Sequence, residues 1–328
     1  MTDSTTTASA TTRQATTDEP AWAPAHPPRQ DGRTVVVTGA TAGIRYFAAE
    51  QLAAAGADVV LASRSAHRLA AAREAILART PDAHVRTVVL ELGSLRAVDE
   101  AAAELAALPR LDGVFLNGGA MSLRPRARTS DGHPLLLGTH VLGHVRLLAG
   151  ILPALTASAV AHGGAGRVVH ASTGFVARFR PRLDDPARVP LLGVAAYTRA
   201  KAVTEVLAFE LDRRLRAAGH PVASVVTHPG VGVDARTPHR PGIRDGSTPY
   251  RRNPYTPWAQ GKDAAAWSGV RALTDPGVRG GDYLAPRDGM RGVPVRVPTP
   301  PRTADPGAAA VRRVWDRVEA LAGVVLPV

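Results

Sequence analysis

The chain has 328 residues, 45% of them hydrophobic, 21% charged and 4% aromatic, with a formal net charge of +12. An ordinary apolar fraction at this length excludes global disorder and leaves room for one large core. With no cysteine, disulfides, a thiolate nucleophile and cysteine-held metal centres are all excluded.

The basic surplus is almost entirely arginine: of 40 basic residues, all but Lys201 and Lys262 are Arg. Local groups such as Arg124, Arg126, Arg128 and Arg178, Arg180, Arg182 lack interleaved aromatics. They therefore point to a solvated surface that attracts an anionic small molecule, and not to nucleic acid. The longest apolar run, 147–161, is about 15 residues and includes Pro153, short of the roughly 20 a membrane span needs. The N-terminus also lacks the apolar stretch of a secretory signal. The expectation is a soluble, cytoplasmic protein with no membrane span, and a homo-oligomer is compatible with it.

Residues 1–30, rich in Thr, Ala and Pro, are expected to be a disordered tail, because they cannot bury enough surface to offset chain entropy. From residue 31 onward, strand and helix patterns alternate. Strands are predicted at 35–37, 59–61, 85–90, 113–116, 167–171 and 222–227, each a short apolar or β-branched run. Helices are predicted from Gly43 to a Gly56 cap, then at 69–77, 95–108, 135–161 and 194–218. A Pro-, Arg- and Gly-rich stretch over about 231–260 is expected to form a substrate loop. Beyond it come a helix, a short strand near 283–284 and a terminal helix at 311–322. Apolar strands separated by helices predict a doubly wound, mostly parallel sheet of the Rossmann type, in a single domain over 31–328.

Two constellations carry chemistry. The first strand ends in Thr38-Gly39-Ala40-Thr41-Ala42-Gly43-Ile44-Arg45. A glycine turn between strand and helix brings backbone N–H groups and a helix dipole to a diphosphate. The second strand ends in Ala62-Ser63-Arg64-Ser65. With no carboxylate there for a ribose 2′-hydroxyl, Arg64 suits a 2′-phosphate, so NADP(H) is preferred over NAD(H). Further on, Tyr197 and Lys201 lie four residues apart in a helical pattern and so share a face. A cation about 4 Å from a phenol contributes on the order of 4 kcal/mol at an effective dielectric of about 20. That is enough to draw the phenol from near pH 10 toward neutrality, where it can move protons. His140 and His144, also four apart, have a metal-ligand spacing, but no third ligand is evident and no metal is expected.

With these motifs the chain resembles the short-chain dehydrogenase/reductase family, in particular its retinol-dehydrogenase-like members. Thr38, Gly39 and Gly43 match the family's T-G-x-x-x-G-x-G turn, and Arg45 replaces the third glycine. That arginine either crowds the site or pairs with a phosphate. Val169-His170-Ala171-Ser172-Thr173 is similar to the strand that ends in the family's catalytic serine. Thr173 takes that place, and Ser172 is the fallback. Gly138-Thr139-His140-Val141-Leu142-Gly143-His144 is similar to a family helix in which His140 replaces a relay asparagine. There the backbone carbonyl would hold a water near the lysine. His228-Pro229-Gly230 resembles the turn beside the nicotinamide, where Asp234 replaces a threonine and adds charge near the phosphates. The resemblance implies catalysis by Tyr197, Lys201, Thr173 or Ser172, and His140. It further implies cofactor contacts from Thr38, Gly39, Thr41, Gly43, Ile44, Arg45, Arg64, Glu91, Leu92, Asn117, Gly118, Gly119, Pro229 and Gly230, together with Tyr197 and Lys201.

The function expected is hydride transfer between NADP(H) and a carbonyl or secondary alcohol of an apolar small molecule, with Tyr197 as acid/base. Alternatives are a catalytically altered protein that binds or senses the cofactor, and a non-redox dehydratase or cyclase using Tyr197. Tyr250, Tyr255 and Trp258 on the 231–260 loop are expected either to line the substrate pocket or to anchor that loop, and Phe175 and Phe179 to line the same pocket.

Overall fold

The structure, a computed structural model, describes residues 22–120, 124, 126–243 and 256–328. Seven parallel strands and one antiparallel strand form a single sheet. They are β1 (Thr34–Thr38), β2 (Asp58–Ser63), β3 (Val85–Val89), β4 (Gly113–Leu116), β5 (Gly166–Ala171), β6 (Val222–Thr227), β7 (Tyr283–Pro286) and β8 (Pro294–Val297). Their order across the sheet is β3-β2-β1-β4-β5-β6-β7-β8, and only the β7–β8 pair is antiparallel. The expected doubly wound sheet is therefore present. Winding reverses between β1 and β4, so their carboxyl ends diverge and open a crevice there, where such sheets place their ligands.

Side-chain alternation along the central strands sorts the core into two layers. Val36, Val60, Val114 and Val168 face one layer, built from α3 (Leu95–Ala106), α4 (Leu135–His162), α6 (Gly193–Ala217) and α10 (Ala308–Ala322). Val35, Val37, Leu61, Phe115 and Val169 face the other, built from α1 (Gly43–Ala54), α2 (Ala66–Leu77) and α8 (Trp267–Thr274). Both faces are covered, which is why these strands read as unbroken apolar runs. The described residues also include three short α-helices, α5 (Phe175–Phe179), α7 (Lys262–Ala265) and α9 (Pro301–Ala304).

Two expectations are corrected. Composition placed residues 22–30 in the tail, yet Trp22 is only 6% exposed within the second core layer, and its indole donates to Thr274 Oγ1 at 3.1 Å. One large ring buries enough surface to hold a segment that is otherwise polar. The second correction concerns α4, which runs unbroken for 28 residues and has a most apolar window of mean hydropathy 1.6. It therefore exceeds the 15-residue run on which a span was ruled out, and it is long and apolar enough to cross a membrane. In this fold 78% of that window is buried against protein.

Candidate active site

The glycine turn follows from what its residues lack. Gly39 and Gly43 have φ of 73° and 62°, values that side chains with a Cβ adopt at a cost. Ala42 begins α1 without a side-chain cap, so the first-turn N–H groups remain available to an anion. Thr38 lies beneath the turn and not on its surface: it is fully buried, and its hydroxyl accepts from the N–H groups of Asn117 (3.0 Å) and Gly118 (2.8 Å). Leu92 is buried beside it, and a Cβ on Gly118 would meet both side chains. Thr38, Leu92 and Gly118 thus form a floor that ties β1 to β4, while Thr41 and Ile44 are partly exposed on the turn itself.

Arg45 lies across this cradle. A Cβ on Gly39 would stand 2.9 Å from Arg45 Cδ, so the absent side chain of Gly39 is what lets the arginine through. Its Nη1 donates to the carbonyls of Asn117 (3.3 Å) and Gly119 (3.5 Å). Burial lowers the guanidinium's pKa, and the Tyr197 phenol acts against that shift. The guanidinium thus lies within the cradle itself. The backbone of the cradle nevertheless suits a dinucleotide diphosphate. Both hydrogen bonds holding Arg45 are long, and releasing them costs about 1–2 kcal/mol in total.

Opposite Arg45 the turn meets Lys262, which the sequence reading did not single out although it is one of only two lysines. A Cβ on Gly43 would be 3.6 Å from Lys262 Cδ, and the ammonium pairs with Asp234. The charge that Asp234 was expected to add near the phosphates is therefore neutralised. At the outer end of the crevice, Arg64 projects from the end of β2 with a 70% exposed side chain. It lies 3.9 Å from Glu91, whose other oxygen accepts the N–H of Gly93.

The groups expected to handle protons gather at the end of β5. Ser172 and Thr173 follow that strand, and the structure separates them. Ser172 is buried and donates to Glu205, which also accepts from Tyr283 and Thr303. Thr173 is partly exposed, and its Oγ1 accepts only the N–H of Phe175, at 3.4 Å. The fallback is thus committed to a buried carboxylate, leaving Thr173 as the hydroxyl at the crevice. Burial raises Glu205 to about 6 against its three donors.

Tyr197 and Lys201 share a face of α6, with Lys201 Nζ 5.9 Å from the phenol ring centre. The ammonium is buried and donates to the Ala171 carbonyl at 2.6 Å. Burial, with repulsion from Arg45, brings it down to about 7, although Glu205 opposes this. The Tyr197 pKa is raised by burial, and the cation that opposes the rise is Arg45. Desolvation thus outweighs the nearby cation, and the lowering expected from Lys201 is not found.

His140 sits on a π-helical turn of α4, Gly138–Leu142. Its ring packs edge-on against Tyr197, with centres 5.4 Å apart. Nε2 donates to the Ala120 carbonyl at 2.9 Å, leaving Nδ1 buried without a partner. Gly119, at φ 146°, faces this ring so closely that a Cβ there would lie 2.1 Å from Cε1. His140 and Gly119 are a matched pair. The His140 carbonyl accepts from His144 Nδ1 (3.2 Å) and lies 3.4 Å from Thr204 Oγ1, which also donates to the Ala200 carbonyl at 3.1 Å. Among the described residues no group of three His, Cys, Asp or Glu is placed to hold a metal ion.

After β6, Gly230 turns with φ 69° so tightly that a Cβ would stand 2.2 Å from the Met290 carbonyl oxygen. Gln260 holds the turn by donating to the Pro229 carbonyl at 2.8 Å and accepting the N–H of Gly292 at 2.9 Å. Phe175 and Phe179 are exposed, with ring centres 5.5 Å apart, and Trp258 is exposed too. Tyr250 and Tyr255 lie outside the described residues.

The family described as short chain dehydrogenase matches residues 33–240. Polyprenol dehydrogenase of Mus musculus is 37% identical over 206 residues, 62% of this chain and 61% of its own length. Retinol dehydrogenase 13 of Homo sapiens is 31% identical over 204 residues, 61% of this chain and 59% of its own. The chain thus spans about three fifths of the length of these curated relatives. A solved structure of an uncharacterized protein from Mycobacterium paratuberculosis covers 94% of this chain and 99% of its own, with a TM-score of 0.72 and 27% identity. A short chain dehydrogenase from Escherichia coli CFT073 complexed with NADPH covers 62% of this chain and 78% of its own (TM-score 0.50, 25% identity).

Proposed function

The chain belongs to the short-chain dehydrogenase/reductase family, among its retinol-dehydrogenase-like members, and from that premise we propose that it interconverts a carbonyl and a secondary alcohol with NADP(H). The observation that carries the reading is a run of contacts from turn to phenol: Arg45 donates to the Gly119 carbonyl, Gly119 faces the His140 ring, and that ring packs against Tyr197. These contacts support a reading in which turn and phenol serve one crevice. Bound there, the nicotinamide supplies or accepts the hydride.

The chain's own groups would do the rest. Turn N–H groups at Gly39 to Arg45 would hold the diphosphate once Arg45 is displaced, Arg64 would meet a 2′-phosphate, and Pro229 and Gly230 would bound the nicotinamide end. Thr173 would donate a hydrogen bond to the reacting oxygen, and Tyr197 would give that oxygen its proton in reduction or remove it in oxidation. Lys201, held on the Ala171 carbonyl, fixes the end of β5 against α6. The substrate class suggested by the named relatives is an apolar alcohol or its carbonyl, with residues 31–328 as the catalytic unit.

A second reading, a protein that binds the cofactor without turnover, is favoured by the position of Arg45. Tyr197→Phe separates the two when NADPH oxidation with a panel of carbonyls is followed at 340 nm. The redox reading predicts a loss of kcat of about 10²-fold or more with NADPH affinity retained. No turnover in the unaltered chain with any carbonyl, alongside NADPH binding, supports the second reading.

A further inference from the structure

A cleft of about 670 Å³ opens beside the end of β5, between α5 and the segment around β8 and α9. Gly174, next to Thr173, belongs to its wall, and Val176, Ala177 and Val297 give it an apolar side. Arg180, Arg287 and Arg302 line it as well, and no carboxylate does. Arg199, Arg240 and Arg271 pair with Asp184, Glu50 and Asp275, whereas Arg180, Arg287 and Arg302 are solvent-exposed. The three cleft guanidiniums have no side-chain partner among the described residues. Arg180 also carries the left-handed backbone (φ 46°) that no other described non-glycine residue shows, at a cost of about 1–2 kcal/mol.

His228 adds a donor of fixed polarity. Its Nδ1 accepts the N–H of Gly230 at 3.0 Å, so the ring proton is on Nε2. Burial holds the ring neutral by lowering it to about 4. Glu205 lies behind Tyr283 and Thr303, with its oxygens taken by Ser172, Tyr283 and Thr303. An apolar wall facing three uncompensated cations suits a ligand that is itself divided in this way.

We propose that this cleft binds an amphipathic anion, a hydrocarbon body bearing a carboxylate or phosphate, with the body against Val176, Ala177 and Val297 and the charge among Arg180, Arg287 and Arg302. Because the wall begins one residue from Thr173, the anion is the remote end of the substrate if the redox reading holds. That assignment rests on the reading, whereas the binding does not.

The test is calorimetric titration of the full chain with octanoate, octyl phosphate and octanol. At least one anion is expected to bind about tenfold or more tightly than octanol. Preference between the two identifies the head group. Changing Arg180→Gln, Arg287→Gln and Arg302→Gln together is expected to weaken the anion about tenfold or more and to leave NADPH affinity unchanged. Arg312→Gln with Arg313→Gln, exposed on α10, serves as a control for overall charge and is expected to change neither. The proposal is overturned if neither anion binds, if octanol binds as tightly, if the triple variant keeps the affinity, or if the control pair loses as much as the triple. Anion binding without NADPH binding upholds the cleft and removes the redox reading.

Discussion

Arg45 shows how one side chain reshapes its neighbours. A glycine at this position would leave the turn open, whereas the arginine needs Gly39 bare beneath it and the carbonyls of Asn117 and Gly119 beyond it. His140 makes a similar demand on Gly119. In both cases a large residue at an unusual position is matched by an absent side chain opposite. Since a nucleotide entering the cradle must release Arg45, Arg45→Gly is predicted to keep NADPH affinity or tighten it, by up to about tenfold. Fluorescence titration of the two proteins measures this, and a tenfold weakening would instead mean that Arg45 grips a phosphate. The sequence identified Arg45 and His140 as departures from a pattern. It held no sign of which way either side chain would turn, because that depends on the segment after β4, 72 residues from Arg45 and 20 from His140.

At the scale of elements, the central strands were legible because strands buried on both faces are unbroken apolar runs, and β1, β2, β4, β5 and β6 appear where those runs are. The turn at Gly39 and Gly43 and the Tyr197–Lys201 spacing on α6 were legible for the same reason, being set by local periodicity. What escaped is non-local. β8 is a short, proline-bounded antiparallel edge strand (Pro294–Val297), whose identity comes only from pairing with β7. The Glu205 cluster joins α6, the end of β5, β7 and α9, and no spacing in the chain announces it. Ser172 and Thr173 are adjacent in sequence, but only the pleat of β5 decides which hydroxyl turns inward to Glu205. The pairing of Lys262 with Asp234 likewise spans 28 residues, although the rarity of lysine was a signal that could have been followed.

For the whole molecule, the crevice region is built around buried neutral imidazoles. Burial brings His144 and His170 down to about 3 and His228 to about 4, and shifts His140 in the same direction. In the unfolded chain each binds a proton near pH 6.5. The fold therefore has its full stability above that value and loses it as pH falls toward the folded values. At pH 5 each such histidine costs roughly 2 kcal/mol. Glu205, raised to about 6, and Asp212, also raised by burial, act in the opposite sense, and Lys201, at about 7, acts mainly above this range. Against a typical total of about 5–15 kcal/mol, the sum is decisive, and the urea midpoint is predicted to fall steeply between pH 7.5 and 5. A flat profile would show that these rings are not held neutral.

The central claim is that the crevice between β1 and β4 admits a phosphorylated nicotinamide dinucleotide despite Arg45. Titrating the unaltered chain with NADPH and with NADH, read by nicotinamide fluorescence, tests it most directly. The account predicts saturation at one site per chain and tighter binding of NADPH, with Arg64→Gln narrowing the difference. Failure of both nucleotides to saturate, in the unaltered chain and in Arg45→Gly alike, would contradict it.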